Sequence, residues 1–156
     1  MTAAFHLAQV NIARLIAPMD DPRVTDFRDA LDRINALGEA QPGFVWRATG
    51  PGFDALDLPG FDDPLILTNA TVWQSAEHLA AFAYRTEHRL YVRRAREWFE
   101  EPAEPQAALW WVPAGHRPDL AECVDRLSHL RAKGPTSTAF DFKTRFPAPQ
   151  TLAEAS

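Results

Sequence analysis

The 156-residue sequence contains one cysteine and no long hydrophobic run. A single thiol cannot form an intramolecular disulfide, and it also excludes a cysteine-rich zinc site. No stretch approaches the roughly 18 uninterrupted apolar residues that a membrane-spanning helix needs. The first ten residues, MTAAFHLAQV, lack the basic segment and apolar run of a signal peptide. We therefore expect a cytoplasmic protein with no membrane partner.

Positive charge is also scarce, because 16 lysine and arginine residues face 21 aspartate and glutamate residues and the formal net charge is −5. That balance argues against nucleic acid as the partner. None of the five histidines is spaced like a pair of metal ligands on a helix, so no metal site is predicted. A phosphate-binding glycine loop and a G-x-S-x-G elbow are missing from the sequence as well.

The periodicity that is present predicts one domain at residues 1–147 and a flexible tail at 148–156. The predicted strands lie at residues 5–15, 43–49, 65–73, 107–113 and 138–146, and a long loop is predicted at 50–64. Helices are predicted at 19–38, from Ser75 to Phe99 with a break near Arg85 and Thr86, and from Asp119 to Gly134.

This order of elements, β-α-β-β-α-β followed by a helix and a strand, is typical of a ferredoxin-like α+β fold. Its helices cover one face of the sheet, and no remaining segment is large enough to cover the other, so we predict a homodimer. The candidate residues of that exposed apolar face are Phe5, Leu7, Trp73, Trp110 or Trp111, Phe140 and Phe142.

Two predicted strands carry polar residues of one parity. Gln9 and Asn11 share a face of the first strand, and Asn69, Thr71 and Trp73 share a face of the third. The alternate parity is mostly apolar. The mixed face either meets water or a partner subunit, or it lines a ligand cavity, which needs a few placed polar groups. The sequence leaves open whether this face looks toward the helices or into a dimer.

A histidine lies on the aromatic side of the second helical region. At about 100° per residue, one narrow sector contains Tyr84, His88, Tyr91, Ala95 and Trp98. His88 is either a half-buried histidine bonded to a tyrosine or a backbone carbonyl, or a catalytic or ligand-binding group. An adjacent sector, suited to solvent or to a partner subunit, contains Arg85, Arg89, Arg93 and Arg96.

The segments FHLAQVNIARL, TVWQSAEHLAAFAY, HRLYVRRAREWF, LWWVPAGHRP and GPTSTAFDF together resemble a bacterial family of unknown function in the dimeric α+β barrel superfamily. That superfamily includes antibiotic-biosynthesis monooxygenases, haem-degrading monooxygenases, and chlorite dismutase with its relatives. The resemblance implies a dimeric α+β barrel. Haem-degrading members use an Asn on the first strand, a Trp ending the third and a His on the next helix, and the comparable positions here are Asn11, Trp73 and His88.

Three functions are compatible with these observations. The first is an enzyme resembling antibiotic-biosynthesis monooxygenases, which oxidises an aromatic or polyketide-like substrate without a cofactor in a cavity between helix and sheet. Its catalytic residues would be His88, Asn11 and Trp73, and its substrate-binding residues would be Gln9, Asn69, Thr71, Tyr84 and Tyr91. The second is a haem-binding or haem-degrading protein with His88 as the ligand. The third is a non-enzymatic ligand-binding or structural dimer.

Overall fold

The computed structural model describes residues 5–49 and 63–149. Most of the predicted loop at 50–64 and of the predicted tail at 148–156 lies outside the described residues. Within the described ranges no helix has the length and apolar character needed to cross a membrane. The elements are β1 (Phe5–Arg14), a 3-10 turn (Pro22–Val24), α1 (Thr25–Glu39), β2 (Phe44–Arg47), β3 (Ile66–Trp73), α2 (Ala76–Arg85), α3 (His88–Arg93), α4 (Ala95–Trp98), β4 (Ala107–Pro113) and α5 (Leu120–Lys133).

The four strands form one antiparallel sheet in the order β2-β3-β1-β4. This is the strand order of a ferredoxin-like fold, so the predicted α+β class is confirmed. Leu7 pairs with Trp73, and Asn11 pairs with Asn69. Because paired residues point to the same side of a sheet, the polar residues of β1 and β3 share one face.

Side-chain caps start the helices where the sequence predicts. The Ser75 hydroxyl accepts a hydrogen bond from the His78 backbone N–H at 3.2 Å, and the Asp119 carboxylate accepts one from the Glu122 N–H at 2.8 Å. At the other end of α5, Gly134 has a φ of 74°, a left-handed conformation that glycine adopts without strain. These local signals fix the helix boundaries independently of the sheet.

The fifth helix covers the apolar face of the sheet. Cys123, Leu127 and Leu130 of α5 pack on the even-numbered residues of the strands, including Val10 and Trp110, and all five are buried. The expectation that no segment covers this face is therefore wrong. Of the candidate residues for an exposed face, Trp110 lies on this side of the sheet and Leu7 and Trp73 lie on the other, and all the candidates are buried or half-buried within one chain. The homodimer stays a prediction, without the exposed face that motivated it.

The predicted strand at 138–146 is also wrong. Of this segment, Phe140 alone pairs with the described sheet, through two hydrogen bonds with Leu109 of 2.8 and 2.9 Å. The chain then turns, because the Asp141 carboxylate accepts a hydrogen bond from the Thr144 N–H at 2.8 Å. Alternating phenylalanines are thus explained by packing, since Phe140, with Phe142 and Phe146, joins the apolar cluster around Leu109.

Candidate functional site

A cavity of about 730 Å³ lies between the mixed face of the sheet and the helices α1 to α4. The mixed face therefore looks toward the helices, and His88 faces the same space as the polar strand residues. Six of the predicted site residues line this cavity, namely Asn11, Asn69, Thr71, Trp73, His88 and Tyr91. The alternation of polar residues along the strands was sufficient to identify the sheet residues that form the floor of the cavity.

Tyr84 does not belong to the cavity. Its side chain is 55% exposed and lies edge-on to Phe142, with ring centroids 6.2 Å apart. The reason is the break between α2 and α3, where Thr86 is extended with φ −114° and ψ −177°. A rotation of 100° per residue does not continue across an extended residue, so Tyr84 and His88 point in different directions.

Gln9 does not line the cavity either, and it belongs to a chain of hydrogen bonds along the same face of the sheet. The Trp73 indole N–H donates to the Thr71 hydroxyl at 2.9 Å, and the Thr71 hydroxyl donates to the Gln9 carbonyl oxygen at 2.9 Å. The Gln9 amide then donates to Asn11 Oδ1 at 3.1 Å, which also accepts from the Asn69 amide at 3.0 Å. We call these five residues the polar ladder.

His88 lines the cavity, and one of its two ring nitrogens is hydrogen bonded to the backbone. Its Nδ1 lies 3.2 Å from the backbone carbonyl oxygen of Ala83. Because a carbonyl only accepts, Nδ1 carries the proton of the neutral ring and Nε2 keeps a lone pair. Burial lowers the pKa of His88 below its ordinary value of 6.5, and the carbonyl contact only partly opposes this. The imidazole is therefore a neutral proton acceptor at neutral pH.

A stack of aromatic rings connects the ladder to the histidine. Phe82 lies nearly parallel to Trp73 with centroids 5.5 Å apart, and it contacts His88 at 4.7 Å. Gly38 of α1 makes room for this stack, because an added Cβ would lie 3.1 Å from the Phe82 ring. Nothing in the sequence pattern indicated this role, since a glycine near the end of a helix is an ordinary stop signal.

The far wall of the cavity is also aromatic. Tyr91 stacks on the buried Trp98 with centroids 5.9 Å apart, and its hydroxyl accepts a hydrogen bond from Arg33 at 2.7 Å. Phe27, Leu31 and Ile34 of α1 complete the wall. A spacing of four and three residues is typical of an apolar stripe buried in a core, whereas these residues line an open volume. Periodicity identifies the inward side of a helix but not whether that side is filled.

The described lining has no unpaired cation. Arg47 is the one arginine or lysine among these residues, and it donates to the Glu39 carboxylate at 2.9 Å. The predicted arginine group is exposed on the helix surface outside the cavity, where Arg96 pairs with Glu101 at 3.5 Å. A neutral aromatic ligand suits this lining better than a strongly anionic one.

The same lining provides a test of haem as a ligand. His88 would hold the haem iron through Nε2, because Nδ1 is fixed by a backbone carbonyl. The propionates fit less well, since the arginine in the described wall is already paired with Glu39. Within the described residues no group of three or more His, Cys, Asp or Glu side chains is arranged to hold a metal ion.

The model of the family described as "Domain of unknown function (DUF3291)" matches residues 6–156. No curated protein matches the chain. Solved structures of similar outline include SnoaB, a cofactor-independent oxygenase from Streptomyces nogalater, at 14% identity and a TM-score of 0.46, covering 74% of this chain and 97% of that one.

Two further structures are similar to the same extent. A conserved protein from Methanosarcina mazei is 14% identical with a TM-score of 0.49, covering 70% of this chain and 93% of that one. A protein from Pseudomonas aeruginosa is 14% identical with a TM-score of 0.48, covering 74% of this chain and 99% of that one. None of these similarities assigns an activity to this chain.

Proposed function

The chain belongs to this family of unknown function, and we propose that it is a small-molecule enzyme that oxygenates an aromatic or polyketide-like substrate in the cavity without a bound cofactor. The observation that carries the proposal is that one cavity is lined both by His88 and by the amides of Asn11 and Asn69. A base and hydrogen-bond donors beside a shared space are what carbon-acid chemistry needs.

The size and lining of the cavity support a substrate of this class. Its volume of about 730 Å³ falls within the range of ligand sites, which is roughly 300–1,000 Å³. Trp73, Phe82, Tyr91 and Trp98 present aromatic surface on two sides. Flat conjugated molecules gain both apolar burial and ring contacts from such walls. The polar ladder supplies the few hydrogen bonds that orient such a molecule.

The proposed reaction converts an activated methylene group, next to a phenol or ketone, into a carbonyl group. His88 Nε2 removes one proton, and the amide of Asn11 stabilises the negative oxygen of the resulting enolate. The carbanion adds to dioxygen, and the peroxide loses water. In total one methylene group and one dioxygen molecule give one carbonyl group and one water molecule, so the substrate loses four electrons and dioxygen gains four. The proton held by His88 leaves in the water.

Oxygen consumption with anthrone as the probe tests this role of His88. We expect His88→Gln to lower turnover by about 10²- to 10⁴-fold, the usual contribution of a general base. Tyr84→Phe is the control, because Tyr84 lies outside the cavity and the loss of its hydroxyl should leave turnover unchanged. Full turnover in folded His88→Gln would remove this histidine from the mechanism.

Haem binding is the second candidate, because the fixed tautomer of His88 would also suit a residue that holds the haem iron. Titration with hemin distinguishes the two. A Soret shift that disappears in His88→Gln would favour haem over oxygenation. The third candidate, in which polar residues serve a subunit interface, has less support, since Asn11 and His88 face an internal cavity. A homodimer and a cytoplasmic location remain expectations beside this proposal.

A further inference from the structure

Gln9 is the central member of the polar ladder, although it does not touch the cavity. It lies on β1 directly opposite Thr71 of β3, two residues before Asn11. Its carbonyl oxygen accepts from Thr71 and its NH2 group donates to Asn11. Both ends of this side-chain amide are therefore engaged, and neither end can be exchanged for the other without breaking a hydrogen bond.

The donor-to-acceptor order of the ladder starts at Trp73. An indole N–H can only donate, so the oxygen of Thr71 must accept from it at 2.9 Å. The single hydroxyl hydrogen of Thr71 donates to the Gln9 carbonyl oxygen at 2.9 Å, so the oxygen of the Gln9 side chain faces Thr71. That orientation places the NH2 group of Gln9 toward the next residue, Asn11.

The hydrogen bond from Gln9 orients the side-chain amide of Asn11 at the cavity. Its Oδ1 accepts from both Gln9 and Asn69, which uses both lone pairs of the oxygen. Its Nδ2 has no hydrogen-bond partner among the described residues, and Asn11 lines the cavity. The floor thus offers an N–H group at this point.

We infer that Gln9 is a positioning residue, which holds the Asn11 amide so that the cavity binds the oxygen of a carbonyl, enolate or phenolate group there and rejects a hydrogen-bond donor. The inference deepens the proposed function and rests on it only for the presence of a ligand. It adds a selectivity rule, because a ligand N–H placed against the N–H of Asn11 would leave two donors unpaired.

Gln9→Glu reverses this arrangement with almost no change of shape. A carboxylate accepts at both oxygens, so it keeps the bond from Thr71 but cannot donate to Asn11. In this variant the side-chain amide of Asn11 should rotate so that its NH2 group donates to the new carboxylate. The amide of Asn69 should rotate as well, so that its oxygen accepts the second hydrogen of that NH2 group. The Asn11 oxygen would face the cavity. Gln9→Met has a similar length and imposes no direction.

Two planar tricyclic probes report the polarity of the floor, because 9-fluorenone offers a carbonyl oxygen and carbazole offers an N–H. We expect the natural protein to bind 9-fluorenone about tenfold more tightly than carbazole, as one matched hydrogen bond predicts. Gln9→Glu should reverse the preference, and Gln9→Met should bring the ratio of the two dissociation constants close to one. An unchanged preference in Gln9→Glu would overturn the inference.

A second measurement needs no ligand. The Asn11 side-chain NH2 protons should exchange quickly with water in the natural protein and slowly in Gln9→Glu, where both become hydrogen bonded, as followed by ¹⁵N NMR. Slower exchange together with failure of both probes to bind would support the role of Gln9 while contradicting the proposed ligand cavity. Equal exchange rates in the two proteins would contradict the role of Gln9 itself.

Discussion

The two faces of the sheet are built from the same four strands and are opposite in character. On the closed face, the apolar even-numbered residues, such as Ala8, Val10 and Val72, pack against α5. On the cavity face, odd-numbered residues form the polar ladder, and the helices enclose an open volume. A single step along a strand therefore moves a side chain from a packed core to a ligand-sized space.

This difference shows how the fold separates stability from function. Dense packing of apolar groups on the closed face supplies burial energy at every position. The cavity face buries less apolar surface and so contributes less burial energy. Its polar groups are hydrogen bonded to one another, which limits their desolvation penalty. At one end it is closed as well, where Leu7, Leu79 and Phe140 pack together. The open part of the cavity is thus supported on two sides.

The closed face contains a thiol, that of Cys123, which is chemically inert. Cys123 is fully buried among apolar residues, and burial raises the pKa of its thiol to about 12. The thiolate, which is the reactive form, is therefore almost absent at neutral pH. Cys123 lies in the apolar cluster under α5 and serves packing there, and the candidate chemistry lies on the other face.

Truncating one leucine on each side should give the largest contrast. Leu127 of α5 is 1% exposed, and Leu127→Ala should lower the free energy of unfolding by about 2–5 kcal/mol. Leu31→Ala, the matched change on the cavity wall, should cost only about 1–2 kcal/mol, because Leu31 already faces open space. Urea denaturation measures both. Equal losses would mean that the cavity is filled in solution.

A pair of isosteric exchanges on neighbouring residues of β3 should have smaller effects. Thr71→Val leaves the Trp73 N–H and the Gln9 oxygen without their partner, at about 1–3 kcal/mol. Val72→Thr, one residue along, places a hydroxyl in the closed face, where Val72 is 1% exposed, at a similar cost. The double exchange should not recover stability, because each hydroxyl then lies on the wrong face. A double variant as stable as the natural protein would contradict the assignment of the two faces.

Local patterns predicted much of this contrast. The alternation of Gln9 and Asn11 with apolar neighbours identified the mixed face of β1, and the same rule worked for β3, because side-chain parity depends only on the strand itself. Caps at Ser75 and Asp119 were likewise confirmed, since they involve residues three apart. What the patterns left open was the surroundings of each face, which depend on where distant helices pack.

The two main errors have different origins, one non-local and one local. The helix from Asp119 to Gly134 was predicted, but it was not recognised as the cover of the second face, so a partner subunit was invoked. The prediction that Tyr84 lies in the cavity was wrong because of a single residue, Thr86. Thr86 interrupts the helix, because its hydroxyl donates to the Phe82 carbonyl at 2.6 Å and accepts from the His88 N–H at 3.2 Å. The break itself was predicted, but its effect on direction was not.

The smallest expected effect is a pH dependence that arises on the cavity face alone. Burial lowers the pKa of His88 in the folded chain below the 6.5 of an exposed histidine. As the pH falls through 6.5, His88 becomes protonated in the unfolded chain before it does so in the folded chain. The free energy of unfolding therefore decreases until the pH is below the pKa of His88 in the folded chain. A difference of one pKa unit corresponds to about 1.4 kcal/mol, which sets the scale.

His88→Gln should reduce the loss of stability between about pH 7.5 and about pH 5.5, because the variant has no group to protonate there. Phe82→Ala should reduce it as well, since removing the ring that contacts His88 at 4.7 Å admits water and relieves the burial that lowers the pKa. Urea denaturation at the two pH values measures both variants. If the natural protein and His88→Gln lose the same stability over this range, the imidazole is hydrated in solution, and the cavity face is as open to water at His88 as it is at Asn69.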